Sequence, residues 1–103
     1  MDICAACGSF LAAARKRGYQ PYGCEPSAWM CGFAKDHYGL DLRPGTLFDL
    51  PLAEGSVDLL TLWDVLEHTS DPLAELREAR RVIRPGGLLV LLLPDASSFW
   101  ARF

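Results

Sequence analysis

Two apolar runs separated by one helical segment constrain the fold of this 103-residue chain more than any other feature. The first run is VDLLTLWD at 57–64, and the second is LLVLLLP, which begins at Leu88. Runs without alternating polar residues are typical of parallel strands that are covered on both faces. Between them, Asp71 and Pro72 supply an N-cap and a first-turn proline. Apolar residues then recur at helical spacing, and these are Leu73, Leu76, Ala79 and Ile83.

The first half of the chain repeats this alternation of strands and helices on weaker signals. In order, the predicted elements are a strand ending at Ile3, a helix at 9–17, a strand at 19–25, a helix at 27–39 and a strand at 40–43. Right-handed crossovers place the helices on both faces of such a sheet. The sequence therefore predicts an α/β fold, with a doubly wound and mostly parallel sheet of about five strands. Ligands of such sheets bind beyond the carboxyl ends of the strands.

Length, charge and composition limit the classes of function. One hundred and three residues make one domain, 1–103. A net charge of -3, with dispersed basic residues, predicts no nucleic-acid partner. The longest apolar run is far shorter than the ~20 residues that span a bilayer, and no secretory signal opens the chain, so we expect no membrane partner. Four cysteines without a disulfide-rich composition predict reduced thiols and a cytoplasmic protein.

The four cysteines leave two further interpretations open. Cys4 and Cys7 have the spacing of a redox dithiol, and a helix N-terminus beside them would lower a thiol pKa. A zinc site of Cys4, Cys7, Cys24 and Cys31 fits less well, because six residues separate the second pair where structural sites favour two to four. We predict no metal site, with Cys24 and Cys31 as small buried residues.

Glu25 is the strongest functional candidate that residue spacing provides. It ends the second predicted strand, ~20 residues after the first loop, where nucleotide-binding α/β domains place an acid on the ribose hydroxyls. A carboxylate can accept two hydrogen bonds from a vicinal diol in one geometry. The alternative is a solvated acid at the start of a helix, where its charge suits the helix dipole.

Three stretches cover nearly the whole chain in order, DICAACGSFLAAARKRGYQPYGCEPS, GTLFDLPLAEGSVDLLTLWDVLEHTSDP and REARRVIRPGGLLVLLLPD. Together they resemble class I S-adenosylmethionine-dependent methyltransferases of the small-molecule, ubiquinone-methylase-like type. The resemblance implies a Rossmann-like methyltransferase core, S-adenosyl-L-methionine as cofactor and direct methyl transfer to a small-molecule acceptor. It also implies a domain that is incomplete at both ends, with the tail DASSFWARF starting an acceptor-side segment.

The resemblance places the cofactor loop at 2–8. Asp2 aligns with the acid of the family pattern Asp/Glu-x-Gly-x-Gly-x-Gly, so that Cys4, Ala6 and Gly8 fall on its three glycines. A Cβ penalises backbone conformations that glycine permits. We therefore expect that Cys4 and Ala6 weaken cofactor binding.

The resemblance also implies contacts further along the chain. Leu47 would present its backbone N–H, and Thr46 its side chain, to the adenine of the cofactor. Trp63 and Asp64 would lie beside the methionine moiety. His68 would act as general base for an oxygen or nitrogen acceptor. A structural role of His68 in the turn is the alternative.

Three classes of function follow from these observations. A methyltransferase is the best supported, and a degenerate, non-catalytic remnant that no longer binds cofactor is the second. A nicotinamide-type dinucleotide binder is the third class and the weakest, because no G-x-G-x-x-G follows the first strand. The uncharged segment from Leu88 to Leu93, with one edge open, also predicts that the isolated chain self-associates.

Overall fold

The computed structural model of the chain describes residues 1–95 and 97, so that most of the predicted acceptor-side tail lies outside the described residues. The elements are β1 (Asp2–Ile3), α1 (Ser9–Lys16), β2 (Gly23–Glu25), α2 (Ala28–Tyr38), β3 (Arg43–Pro44), β4 (Val57–Trp63), α3 (Pro72–Val82) and β5 (Ile83–Leu92). Single 3₁₀ turns cover Leu47–Asp49 and Leu66–His68. All strand pairs are parallel, in the order β3-β2-β1-β4-β5. The predicted α/β fold is confirmed.

Local signals set the ends of the two longer helices. The side chain of Ser27 accepts a hydrogen bond from the Met30 N–H, and Gly39 closes α2 with a φ of 62°. The side chain of Asp71 accepts from the Ala74 N–H ahead of α3. These three residues act as the sequence predicted, because capping depends only on neighbours in the chain.

Two strands differ from their predicted bounds. The third strand is Arg43–Pro44 and not 40–43, because Leu40 and Leu42 are buried against α1 and α2. The second strand has three residues, Gly23–Glu25, whereas seven were predicted. Pro21 lacks an N–H for a ladder hydrogen bond, which explains the later start of that strand.

The core has two apolar clusters. One joins α1 and α2 to the segments before α1 and after α2, and its members are Ala5, Leu11, Ala12, Ala34, Leu40 and Leu42. The other joins the sheet to α3, and its members are Ile3, Cys24, Leu47, Val57, Leu60, Leu62, Val65, Ala79 and Val82. Within the described residues, no helix is long and apolar enough to cross a membrane.

The buried face of α3 overlaps the predicted one at Ala79, while Leu76 and Ile83 of the predicted face are half-buried. Leu73 is 55% exposed, and the buried residues of the helix are Glu75, Ala79 and Val82. These residues have the spacing i, i+4 and i+7, which also defines one helix face. Two helix faces that share Ala79 were therefore available. Packing against the sheet buries the face that contains Glu75 and leaves Leu73 of the other exposed.

Strand β5 was predicted to be buried, and this was wrong for the described residues. Its side chains from Leu88 to Leu92, and Leu93 beyond them, have exposed fractions between 36% and 63%. The strand pairs with β4 along one edge, from Ile83 to Leu92. Neither an outer strand nor a full set of helices covers β5 within the part of the chain that is described. Its pattern predicts a covered strand because it contains no alternating polar residues.

Candidate functional site

Strand β1 lies between β2 and β4, so the chain leaves β1 in one direction along the sheet and later returns to its other side. This change of direction opens a crevice at the carboxyl ends of the strands. The loop after β1, the end of β2 and the end of β4 all lie at this edge. Most of the predicted site residues belong to these three segments.

The loop after β1 keeps the backbone conformation of a glycine loop without all of its glycines. Cys4 has a φ of 52°, Ala6 a φ of 47° and Gly8 a φ of 78°. A left-handed conformation costs an ordinary residue about 1–2 kcal/mol. The substituted loop is therefore strained at Cys4 and Ala6, and its backbone path remains that of a loop able to approach a ligand closely.

The N-terminus of α1 points its free N–H groups towards this loop. Gly8 is the N-cap, no side chain caps the helix, and its first turn contains no acid. Such an end offers unpaired donors and a positive dipole end to an anionic group. The site can therefore hold a carboxylate at the start of α1.

Glu25 connects the loop to the start of α2. Its Oε2 accepts a hydrogen bond from the Ala6 N–H at 2.9 Å, and its Oε1 accepts from the Ser27 N–H at 2.8 Å. The side chain is only 8% exposed, so the alternative of a solvated acid is wrong. Each carboxylate oxygen has a second lone-pair position, and together these can accept two further hydrogen bonds from a ligand.

Asp2 lies beneath the loop on β1. Thr61 on β4 donates a hydrogen bond from its Oγ1 to Asp2 Oδ1 at 2.6 Å. Burial raises the pKa of Asp2 to about 6, against the lowering effect of that hydrogen bond. A cationic group of a ligand near Asp2 would lower this pKa again, because an opposite charge favours the ionised form.

Cys4 lacks the electrostatics of a redox thiol. Burial, followed by the negative charges of Glu25, Glu75 and Asp2, raises the pKa of the Cys4 thiol to about 11. A reactive thiol needs a lowered pKa. The redox interpretation of Cys4 and Cys7 is therefore disfavoured. All four cysteines are free thiols.

Thr46 and Leu47 lie at the start of the first 3₁₀ turn. The Thr46 hydroxyl donates to Asp49 Oδ2 at 2.8 Å, and the Thr46 N–H donates to the same oxygen at 2.7 Å. The Thr46 hydroxyl thus uses its proton in a turn contact and keeps lone pairs that can accept a hydrogen bond. Its predicted role at the adenine stays a prediction. No acceptor for the Leu47 N–H is present among the described residues. Leu47 is fully buried, and its predicted contact with the adenine stays a prediction.

Trp63 is the last residue of β4 and Asp64 follows it, and each has an unusual feature. The Trp63 Nε1–H is buried and has no hydrogen-bond partner among the described residues. Its ring packs edge-on against Phe10 of α1, with ring centroids 5.0 Å apart. Asp64 is exposed and has a φ of 52°. An orphaned buried donor and a strained aspartate together mark the end of β4 as a candidate ligand contact.

His68 lies at the end of the second 3₁₀ turn and is exposed. Its backbone N–H donates to the Val65 carbonyl, and its imidazole has no hydrogen bond within the described part of the chain. The side chain therefore does not cap or orient the turn. It is available to a molecule that binds at the edge of the sheet.

The structure joins some predicted residues directly and leaves others apart. Glu25 contacts the loop at Ala6, and its backbone carbonyl accepts from the Gly45 N–H at 3.1 Å, which brings Thr46 near. Trp63 reaches the start of α1 through Phe10. Among the described residues, His68 forms no hydrogen bond with Glu25, Thr46 or Trp63. Sequence reasoning missed Phe10, Thr61 and Glu75, because their roles depend on contacts between distant strands and helices.

Comparison with known proteins identifies the family of this chain. The family model described as "Methyltransferase domain" matches residues 1–91. An uncharacterized methyltransferase of Mycobacterium sp. (strain KMS) is 40% identical over 94 residues, which is 88% of this chain and 36% of that protein. The ubiquinone/menaquinone biosynthesis C-methyltransferase of Rubrivivax gelatinosus is 36% identical over 80 residues, which is 76% of this chain and 32% of that protein.

Solved structures support the same assignment. An S-adenosylmethionine-dependent methyltransferase from Thermotoga maritima superposes with a TM-score of 0.83 at 30% sequence identity, and the match covers 98% of this chain and 46% of that one. The chain thus spans less than half the length of each of these three relatives. The predicted resemblance is confirmed: this chain belongs to the methyltransferase domain family.

Proposed function

We propose that the chain binds S-adenosyl-L-methionine at the carboxyl edge of its sheet and transfers the methyl group to a small-molecule acceptor. The observation that carries this proposal is the pair of hydrogen bonds from the Ala6 and Ser27 N–H groups to Glu25. They fix a buried carboxylate at the end of β2, where the ribose of a nucleoside cofactor would lie. The free lone pairs of this carboxylate suit the two ribose hydroxyls.

The other residues of the edge fit the remaining parts of this cofactor. The start of α1 suits the cofactor carboxylate, and Asp2 suits its ammonium group. The free Leu47 N–H suits a ring nitrogen of the adenine. The orphaned Trp63 Nε1–H suits an acceptor atom at the methionine end. Each of these groups lacks a partner, or retains capacity for one, within the described residues.

When bound, the cofactor supplies an activated methyl group on a positively charged sulfur. The residues of the chain would contribute chiefly by holding that group and the acceptor at attack distance. His68 would accept a proton from an oxygen or nitrogen acceptor. Its exposed imidazole, without an internal hydrogen bond, supports this role. We propose a cytoplasmic location on the basis of the four free thiols.

The competing proposal is a non-catalytic remnant that no longer binds cofactor, and strain at Cys4 and Ala6 favours it. Calorimetric titration with S-adenosylhomocysteine distinguishes the two. Glu25→Ala should weaken binding on the order of 2 kcal/mol, because it removes charge-assisted hydrogen bonds. Asp36→Ala, at an exposed position of α2, is the control and should bind like the wild type. Absence of binding by the folded wild type would favour the remnant.

We also propose that two copies of the isolated chain pair along β5. The free edge of this strand presents unpaired N–H and C=O groups, which only another strand can satisfy in a regular ladder. No charged residue lies between Leu88 and Leu93 to repel a second copy. A two-fold axis would place the two β5 strands antiparallel, because symmetric partners use the same surface.

A further inference from the structure

Three buried carboxylates near the site have no basic side chain as a partner. Asp2 is 2% exposed, Glu75 5% and Glu25 8%. The ion pairs of the described residues use other acids, namely Asp41, Asp58 and Glu78. Removing a carboxylate from water is costly unless an opposite charge or hydrogen bonds compensate it. Three such groups in one region therefore require an explanation.

Hydrogen bonds explain two of the three. Asp2 accepts from the Thr61 hydroxyl, and Glu25 accepts from two backbone N–H groups. The carboxylate of Glu75 accepts no hydrogen bond from the described residues. Burial, followed by the charge of Glu78, raises the pKa of Glu75. Glu75 is thus the acid of the group whose carboxylate has no hydrogen-bond donor among the described residues.

The position of Glu75 places it below the loop that follows β1. It lies on the face of α3 that also carries Ala79 and Val82, which pack against the sheet in the cluster that contains Ile3 and Cys24. Helix α3 begins near the carboxyl edge and runs back along the sheet to β5, because β4 and β5 are parallel. One helical turn before Ala79 is about 5.4 Å nearer that edge.

Cys4 follows Ile3 at the same level of the sheet. Cys4 packs against the same cluster as Ala79 and Val82. Burial raises the pKa of its thiol, and the negative charges of Glu25, Glu75 and Asp2 add to this effect. The three carboxylates therefore lie near the turn of the loop, and their negative potentials add in the crevice beside it. A ligand with a positive charge there would compensate all three.

We propose that Glu75 is a specificity-determining residue of the cofactor site, which favours a ligand with a positive charge over its neutral counterpart. This inference rests on the proposed function, in which S-adenosylmethionine has a positively charged sulfur and S-adenosylhomocysteine a neutral one. Glu75 acts through its charge at a distance and does not need to contact the ligand. Its attraction ends when the methyl group has left, so Glu75 also favours exchange of the used cofactor for a fresh one.

The test compares three ligands on two variants of the full chain by calorimetry. The ligands are S-adenosylmethionine, S-adenosylhomocysteine and sinefungin, in which a protonated amine replaces the sulfonium. Glu75→Gln removes the charge and keeps the size of the side chain. We expect it to weaken both cationic ligands about tenfold and to leave S-adenosylhomocysteine within about twofold, since only charged ligands lose the attraction. Glu54→Gln, at an exposed position, is the matched control and should change none of the three.

The outcomes separate this inference from the function on which it rests. An equal loss for all three ligands would mean a purely structural role, and no change would mean that Glu75 is too distant to act. Either result overturns the inference and leaves the proposed function standing. If the folded wild type binds none of the ligands, the proposed function and the inference are both overturned.

Discussion

The hydroxyl of Thr61 donates a hydrogen bond to Asp2 across the β1–β4 pair, within the buried part of the sheet. A neutral or an ionised carboxyl can accept this bond, so the bond alone does not fix the charge of Asp2. Burial disfavours the ionised form and raises the pKa of Asp2 from its ordinary value of 3.8 to about 6.

The first prediction concerns the pH dependence of stability. Because the folded pKa of Asp2 exceeds the unfolded one, its stabilising contribution is complete below about pH 4 and is lost as the pH rises through about 6. Asp2→Asn keeps the acceptor for Thr61 and removes the charge. Above pH 7 the variant should gain on the order of 2 kcal/mol over the wild type, relative to their difference at pH 4. Urea unfolding at the two pH values measures this, and a constant difference would contradict it.

The second prediction concerns strain in the loop. Cys4→Gly and Ala6→Gly together should raise the free energy of unfolding by about 1–2 kcal/mol. Each glycine relieves about 1–2 kcal/mol of strain at a positive φ, and each loses roughly 0.5–1 kcal/mol in backbone entropy. The double variant should also bind S-adenosylhomocysteine more tightly. Ala13→Gly, in an exposed position of α1, is the control and should destabilise by about 1 kcal/mol. A destabilised double variant would show that side-chain contacts of Cys4 outweigh the strain.

The third prediction concerns the orphaned donor of Trp63. Trp63→Phe removes an N–H that has no partner among the described residues and keeps an aromatic ring beside Phe10. Its unfolding free energy without ligand should fall by about 1–2 kcal/mol, because Phe is smaller than Trp and leaves a small cavity. Cofactor affinity should fall by about 1 kcal/mol if the N–H donates to the ligand. Trp29→Phe, at a side chain that is 70% exposed, should change neither. Unaltered affinity of Trp63→Phe would remove this residue from the site.

The fourth prediction concerns the free edge of β5. At tens of micromolar, about the range in which exposed edges associate, the chain should scatter light as a dimer or a larger species. Leu88→Lys places a charge at a position of the strand that is 63% exposed and should shift the population to monomer. Leu73→Lys, at an exposed position of α3, should leave association unchanged. A wild type that remains monomeric and unfolds cooperatively would refute the pairing.

Signals within a few residues predicted the helix ends, since Ser27, Gly39 and Asp71 act on their own turns. The position of Glu25 at the end of β2, beside the first loop, was predictable because the spacing between that loop and the second strand is visible in the sequence. The burial of Glu75 was not, since α3 has two stripes of comparable spacing and only the sheet distinguishes them. The bond between Thr61 and Asp2 depends on the register of two strands that are 59 residues apart, which no local pattern encodes.

Gly8 differs from the two substituted positions of its loop in a way that bears on which sequences this fold can accept. A Cβ at Gly8 would lie 3.0 Å from a methyl group of Leu40 and 3.2 Å from the Cβ of Ala34. Cys4 and Ala6 show that the loop can carry side chains at its other two glycine positions. The fold therefore tolerates side chains at residues 4 and 6 at the cost of a strained backbone. At residue 8 a side chain would also collide with Ala34 of α2 and with Leu40. Packing between α1 and α2 thus requires the last glycine of the loop, whether or not a ligand is bound.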